Sequence, residues 1–128
     1  MKLAIIGSRS FDNYNLLENT IKLYLARCIT GRNVPENCWQ YKFDEIISGG
    51  AIGADALGAI FAHENNIKLT EFIPDWKKYG KKAGILRNED IIKNCDVVLA
   101  FWNSESRGTA NSLSIAKKLK KTTIIVYF

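Results

Sequence analysis

Val97-Val98-Leu99-Ala100-Phe101 is an unbroken apolar run, and the stretch that follows it, Asn103 to Thr109, is rich in serine, arginine and glycine. A strand that is apolar at every position is buried on both faces, as in parallel sheets with helices on either side. Thr123-Ile124-Ile125-Val126 has the same character. These two runs predict an α/β fold, and the polar stretch between them predicts a loop where such a fold could bind a ligand.

Outward from these runs, short apolar or β-branched segments alternate with longer segments whose apolar residues recur at helical spacing. We predict strands at 2–6, 45–48, 68–73, 96–101 and 122–127, and helices at about 13–29, 53–65, 81–94 and 109–120. Five strands separated by helices predict a Rossmann-like three-layer sandwich with a mainly parallel sheet. The strand order that we favour is 3-2-1-4-5.

Length and composition fit one globular domain over residues 1–128. The chain is 47% hydrophobic and 24% charged, which excludes a disordered or fibrous protein. Residues 31–42 form an unusually long connection, which we interpret as an inserted loop that Trp39 and Tyr41 fold over a sheet edge or helix, or present to a partner. No apolar run is long enough to cross a bilayer and no secretory signal is apparent, so we expect a cytoplasmic protein without a membrane partner.

The net charge of +5 comes from two lysine clusters. Eight of the 18 Lys and Arg residues lie in them, which leaves 10 positive against 13 negative residues elsewhere. The clusters are Lys77, Lys78, Lys81 and Lys82, and Lys117, Lys118, Lys120 and Lys121. The second cluster either complements the dipole at a helix C-terminus or binds nucleic acid.

Three predicted loops share the rim at the carboxyl ends of the strands, where open parallel sheets bind ligands. They are Gly7-Ser8-Arg9-Ser10, Ser48-Gly49-Gly50-Ala51-Ile52-Gly53-Ala54-Asp55 and Asn103-Ser104-Glu105-Ser106-Arg107-Gly108-Thr109. Their glycines permit positive φ angles and close backbone approach, and the helices that follow have free N–H groups that attract anions. The alternative is a set of tight strand-to-helix turns.

The charged residues of these loops allow more than one role. Arg9 and Arg107 could bind phosphate with bidentate donors or simply lie in solvent. Asp55 would repel an anion, so it either caps its helix or accepts hydrogen bonds from ribose hydroxyls. Thr109 either caps the last helix or donates to a phosphate.

Two further side chains follow the third predicted strand. Trp76 could stack on a base or belong to the core. Arg87 lies midway along a half-apolar helix, and a buried guanidinium needs an acidic or phosphate partner.

The ordered motifs Gly-Ser-Arg-x-Phe, Ser-Gly-Gly-Ala-x-Gly-Ala-Asp, Pro-Asp-Trp, Ala-Gly-x-x-Arg-Asn and Ser-Arg-Gly-Thr resemble the YspA/YpsA-related branch of the SLOG superfamily. That superfamily includes the DNA-processing protein A and Lonely Guy families, and the resemblance covers nearly the whole chain apart from residues 31–42. It implies a Rossmann-like fold that binds nucleotides or nucleotide-derived ligands. The residues that it implies for the site are Gly7, Ser8, Arg9, Gly49, Gly50, Gly53, Asp55, Arg87, Asn88, Gly108 and Thr109; from the loops and their neighbours we add Ser48, Trp76, Ser106 and Arg107.

One departure from the Lonely Guy pattern concerns catalysis. Those enzymes cleave an N-glycosidic bond and carry Gly-Gly-x-Gly-Thr followed closely by a catalytic Glu. Here the matching stretch, residues 106–112, has neither the paired glycines nor the glutamate. The remaining carboxylates, Asp55, Asp75 and Glu105, lie elsewhere, so we assign no catalytic residue.

We therefore expect a sensor or binding module for an NAD, ADP-ribose or nucleoside monophosphate type of ligand, with no certain cofactor. Three cysteines and one histidine lack metal-site spacing, so we predict no metal. A nucleotide hydrolase and a single-stranded DNA-binding protein are the alternatives. Nucleic acid ranks below a small molecule as the partner without being excluded, and homo-oligomer formation is left open.

Overall fold

A computed structural model describes residues 1–25 and 43–128 of the chain. The predicted loop at 31–42 and the end of the first predicted helix lie outside the described residues. The strands are β1 (Lys2–Gly7), β2 (Glu45–Ser48), β3 (Lys68–Glu71), β4 (Val97–Trp102) and β5 (Thr122–Tyr127).

All four strand pairings are parallel and the order is β3-β2-β1-β4-β5. The predicted strand order is confirmed. In the centre of the sheet Ile5 of β1 lies opposite Leu99 of β4. Both side chains are fully buried, because helices cover each face of the sheet.

In the described part of the chain, five α-helices flank the sheet. They are α1 (Tyr14–Asn19), α2 (Ala54–Glu64), α3 (Trp76–Tyr79), α4 (Ala83–Lys93) and α5 (Arg107–Lys118). Alternate residues of β1 enter two separate cores: Leu3 and Ile5 pack with α1 and α2, whereas Ala4 and Ile6 pack with α4 and α5. Side chains of successive strand residues point to opposite faces, so this alternation produces the predicted three-layer sandwich.

Beyond boundary shifts of one or two residues, the helical segments differ from the prediction in two places. Asn13 is the N-cap of α1, but after Asn19 the chain continues as a π-helical segment, Thr20–Leu25. The short helix α3 and the 3-10 turn Gly80–Lys82 that follows it were not predicted. Their four lysines mask any hydrophobic periodicity, which is the signal that sequence analysis depends on. None of the described helices is long and apolar enough to cross a membrane.

The contact between α2 and β1 is close enough to exclude a side chain at Gly58. A Cβ atom there would lie 2.9 Å from Cγ2 and 3.0 Å from Cβ of Ile5. In contrast, a Cβ atom at Gly108, in the first turn of α5, would meet no atom within 4 Å.

We predict that Gly58→Ala destabilises the protein by about 1–3 kcal/mol, because the added methyl group overpacks the core. The matched variant Gly108→Ala should be neutral or stabilising by up to about 1 kcal/mol, since alanine favours a helix. Urea unfolding measures both values. Equal effects of the two substitutions would contradict this account of the interface.

Candidate functional site

An open crevice with a volume of about 700 Å³ lies at the carboxyl ends of the strands. Volumes between about 300 and 1,000 Å³ are usual for sites that bind one small organic ligand. The crevice lies where the loops after β1 and β4 separate, which is the reversal point of the strand order.

Burial divides the lining of the crevice into a floor and a mouth. The floor is made of polar residues that are at most 9% exposed, namely Ser8, Asp55, Asn88, Thr109 and Ser112. The mouth is made of exposed residues, namely Arg9, Trp76, Lys81 and Arg107. A cationic mouth above a polar floor suits a ligand that carries negative charge.

Arg87 connects the crevice to the neighbouring loops. Its Nη1 donates to the carbonyl oxygen of Gly49 at 2.6 Å and, more weakly, to that of Phe72 at 3.5 Å. Its Nε donates to Oδ1 of Asn88 at 3.1 Å. Backbone carbonyls and an amide therefore hold the half-buried guanidinium, whereas its sequence position predicted an acidic or phosphate partner.

Asn88 extends this network to α5. Its Nδ2 lies 3.2 Å from Oδ1 of Asn111 and 3.4 Å from the carbonyl oxygen of Gly108. The side chains of α4 thereby fix the first turns of α5 relative to the loop after β2.

Gly53 lies where two of the loops touch. Its φ is +81°, and a Cβ atom there would be 2.5 Å from the carbonyl oxygen of Ser8 and 2.6 Å from Cα of Arg9. No side chain fits against this backbone. The glycine is therefore required by the close contact between the loop after β1 and the turn that leads into α2.

Asp55 lies in the first turn of α2, where it is 7% exposed and lines the crevice. Its carboxylate accepts a hydrogen bond from the backbone N–H of Ala51 at 3.3 Å. Burial raises the pKa of Asp55 to about 6, although this N–H group, the Arg87 charge and the N–H of Gly49 all act in the opposite direction. Burial also lowers the pKa of Arg87. The carboxylate thus stabilises the loop before α2 instead of capping the end of the helix.

The N-terminus of α5 is capped by Ser106, whose Oγ accepts from the backbone N–H of Thr109 at 3.4 Å. The prediction that Thr109 could be the cap is therefore wrong. Its own hydroxyl lies 3.1 Å from Oγ of Ser106, and the helix begins two residues earlier than predicted. The two hydroxyl groups lie at the start of α5. Arg107, between them in sequence, is exposed at the mouth of the crevice.

Trp76 is 57% exposed and Tyr79 is 46% exposed, so neither belongs to the core. Trp76 begins α3 and lines the crevice beside Lys81. The alternative that Trp76 belongs to the core is wrong, because Trp76 begins the short helix α3, which Asp75 caps, and more than half of its surface is exposed.

Most of the predicted site residues come together at the crevice. Those that line it are Gly7, Ser8, Arg9, Asp55, Trp76, Arg87, Asn88, Ser106, Arg107, Gly108 and Thr109. Ser48, Gly49, Gly50 and Gly53 do not line it; they shape the loop behind Asp55 and Arg87.

Sequence reasoning missed Asn111 and Ser112, which line the crevice from the second turn of α5. Residues three and four positions apart share a helix face, so their spacing from Gly108 could have identified them. Of the carboxylates considered for catalysis, Asp55 alone lines the crevice; Asp75 caps α3 and Glu105 is exposed outside it.

The lysines at 117–121 lie at the far end of α5, beside the amino ends of the strands. Nζ of Lys121 donates to the carbonyl oxygen of Cys95 at 2.8 Å, which ties part of this cluster to the loop before β4. The cluster that offered the best sequence argument for nucleic-acid binding is thus remote from the crevice.

Comparison with known proteins gives a family and one curated relative. The model of the YspA, cpYpsA-related SLOG family matches residues 1–79. The Gene 61 protein of Mycobacterium phage D29 is 35% identical over 79 residues, which are 57% of this chain and 63% of that protein.

Two solved structures share the fold over almost the whole chain. DNA processing protein A from Helicobacter pylori has a TM-score of 0.65 at 21% identity, with 98% of this chain and 64% of that chain covered. DNA processing protein A from Streptococcus pneumoniae has a TM-score of 0.69 at 18% identity, with 97% and 49% covered. The chain therefore spans less than two thirds of each of these relatives.

These neighbours correct one expectation. We ranked nucleic acid below a small molecule as the partner, because the lysines at 117–121 were its best sequence support. The Helicobacter pylori protein, however, has a described single-stranded DNA binding mode. The ranking is wrong, because it judged nucleic-acid binding by the charge of one helix end and assigned the aromatic and basic residues at the mouth of the crevice to a small ligand alone.

The raised pKa of Asp55 predicts a specific dependence of stability on pH. The ordinary value is 3.8 and the value in the fold is about 6, so the folded protein favours the protonated carboxyl. Stability should therefore fall as the pH rises from about 4 to about 6, with a total effect of roughly 3 kcal/mol.

Asp55→Asn removes this ionisation. The free energy of unfolding of the variant minus that of the wild type should increase through the same pH range and then level off. Chemical unfolding at a series of pH values measures the difference, in which the other carboxyl groups cancel. Parallel curves for the two proteins would show that burial does not perturb Asp55.

Proposed function

The chain belongs to the YspA, cpYpsA-related SLOG family, and from this premise we infer that its rim crevice binds nucleotide units, in the first place those of single-stranded DNA. The observation that carries the proposal is the mouth of the crevice. There an exposed indole lies among cationic side chains, which is the combination that single-strand-binding proteins use.

The charge of the lining favours an anionic polymer. Arg9, Lys81, Arg87 and Arg107 line the crevice, and Asp55 is the one carboxylate among the described lining residues. With Asp55 ionised the lining carries a net charge of +3. Lys77, Lys78 and Lys82 lie in the adjoining turns, so the positive surface continues from the crevice along α3.

The aromatic residues supply the second part of the interaction. Stacking of one base on an aromatic side chain contributes about 1–3 kcal/mol and depends little on sequence. Trp76 lies at the mouth with more than half of its surface exposed, so a base can reach it without a change in the fold.

A free nucleotide-derived ligand, of the NAD, ADP-ribose or nucleoside monophosphate type, is the second candidate. The buried carboxylate of Asp55 beside the crevice favours it, because such a group can accept hydrogen bonds from ribose hydroxyls. Isothermal titration calorimetry with these ligands tests it directly.

We also propose that residues 1–128 form a single domain and that the protein is cytoplasmic.

We predict that Arg107→Ala weakens single-stranded DNA binding several-fold and reduces the slope of log affinity against log salt by about one. The guanidinium would contact phosphate, and each such contact releases a counterion. Fluorescence anisotropy with a labelled oligonucleotide at several salt concentrations measures both effects.

Trp76→Ala should weaken the same binding about tenfold with little change in the salt slope, because it removes stacking and no charge. Lys118→Ala at the remote end of α5 is the matched control and should leave the affinity unchanged. Absence of wild-type binding at low salt, or a loss in the control as large as in Arg107→Ala, would refute the proposal.

A further inference from the structure

The floor of the crevice has hydrogen-bonding capacity that the fold does not use. Ser112 is 3% exposed and lines the crevice, and its hydroxyl makes no hydrogen bond to any described residue. Arg87 uses Nε and Nη1 to hold the loops, while its Nη2 has no partner among the described residues. No buried side-chain nitrogen or oxygen of the described residues lacks a hydrogen-bond partner, so these two donors face the open space of the crevice, where a ligand can bind them.

A third donor completes the floor. Oγ of Ser8 accepts from the backbone N–H of Asn103 at 3.1 Å, which leaves its hydroxyl hydrogen available to a ligand. One guanidinium nitrogen and two hydroxyl groups thus line the buried part of the crevice. Each of these groups can donate a hydrogen bond to an oxygen of a bound oxyanion.

We propose that the floor of the crevice is a subsite for a terminal phosphomonoester, carried by the end of a nucleic-acid strand. This inference rests on the proposed function and names the part of the strand that enters the site. The terminal phosphate binds the floor, and the nucleoside attached to it extends toward Trp76 at the mouth.

The depth of the floor favours an end over the interior of a strand. An internal phosphodiester carries a nucleoside on each side, and both would have to enter the crevice before its phosphate could reach Ser8 and Ser112, which are at most 3% exposed. A terminal phosphate brings only one nucleoside with it. The volume of about 700 Å³ fits one such unit.

Charge favours the same ligand. A phosphomonoester carries about −1.5 to −2 at neutral pH, compared with −1 for a phosphodiester. Four cations and one carboxylate line the crevice, and that carboxylate already accepts hydrogen bonds from its own loop. The more highly charged terminal group therefore gains more from this surface.

The test is a competition experiment on the full chain, read by fluorescence anisotropy of an internally labelled single-stranded probe of about 20 nucleotides. Unlabelled competitors have one sequence and differ only at their ends: 5′-phosphorylated, 3′-phosphorylated, hydroxyl at both ends, and a covalently closed circle. A nucleoside 5′-monophosphate is a fifth competitor, because it offers the same phosphate without a strand.

We expect one of the phosphorylated strands to compete at least about tenfold better than the hydroxyl strand and the circle. A mononucleotide that matches it also supports the phosphomonoester subsite and assigns its source to free nucleotide. Equal competition by all four strands would overturn the inference while leaving single-strand binding intact. Failure of the probe itself to bind would instead refute the proposed function.

Two variants separate the floor from the mouth. Ser112→Ala removes one hydroxyl from the floor and should reduce the preference for the phosphorylated end several-fold, with little effect on the circle. Trp76→Ala should weaken the strands together and preserve that preference. If Ser112→Ala leaves the ratio between phosphorylated and hydroxyl ends unchanged, Ser112 does not contact the phosphate and the proposed floor is wrong.

Discussion

The hydrogen bond from Arg87 to the carbonyl oxygen of Gly49 determines the shape of the rim. It is 2.6 Å long and joins α4 to the loop after β2, and through Asn88 the same network reaches the first turn of α5. Gly49 must be a glycine for this arrangement, since a Cβ atom there would lie 2.5 Å from Nη1 of Arg87 and 2.7 Å from Oδ2 of Asp55. One guanidinium therefore positions parts of the crevice that are remote in sequence.

The electrostatics of the crevice follow from the same arrangement. Asp55 and Arg87 are both partly removed from water, and desolvation is the largest influence on each of them. Their charges attract each other, yet the pKa of Asp55 stays raised. The crevice can therefore keep an acidic group without losing its positive character, because the exposed cations at the mouth outnumber it. Such a surface favours anionic ligands, and protonation of Asp55 makes its net charge more positive.

Much of this could be predicted from the sequence, for reasons that particular residues make clear. Strands such as β4 are apolar throughout, and parallel sheets are the usual place for them, so the topology followed from handedness rules. The loop residues were found because carboxyl ends of parallel strands share one rim. Ser112 was missed and the exposure of Trp76 was left open, because both depend on how a helix is rotated. Helix rotation depends on tertiary contacts such as those between α4 and α5, which local patterns do not contain.

The central claim is that a single strand of nucleic acid binds at the rim crevice. A titration of the ¹⁵N-labelled protein with an unlabelled single-stranded oligonucleotide, followed by two-dimensional NMR, locates the contact residue by residue. Our account predicts that the largest shift changes fall on the amides of Ser8, Arg9, Trp76 and Lys81 and on the first turns of α5. Shift changes concentrated on the lysines at 117–121, or none anywhere, would contradict it.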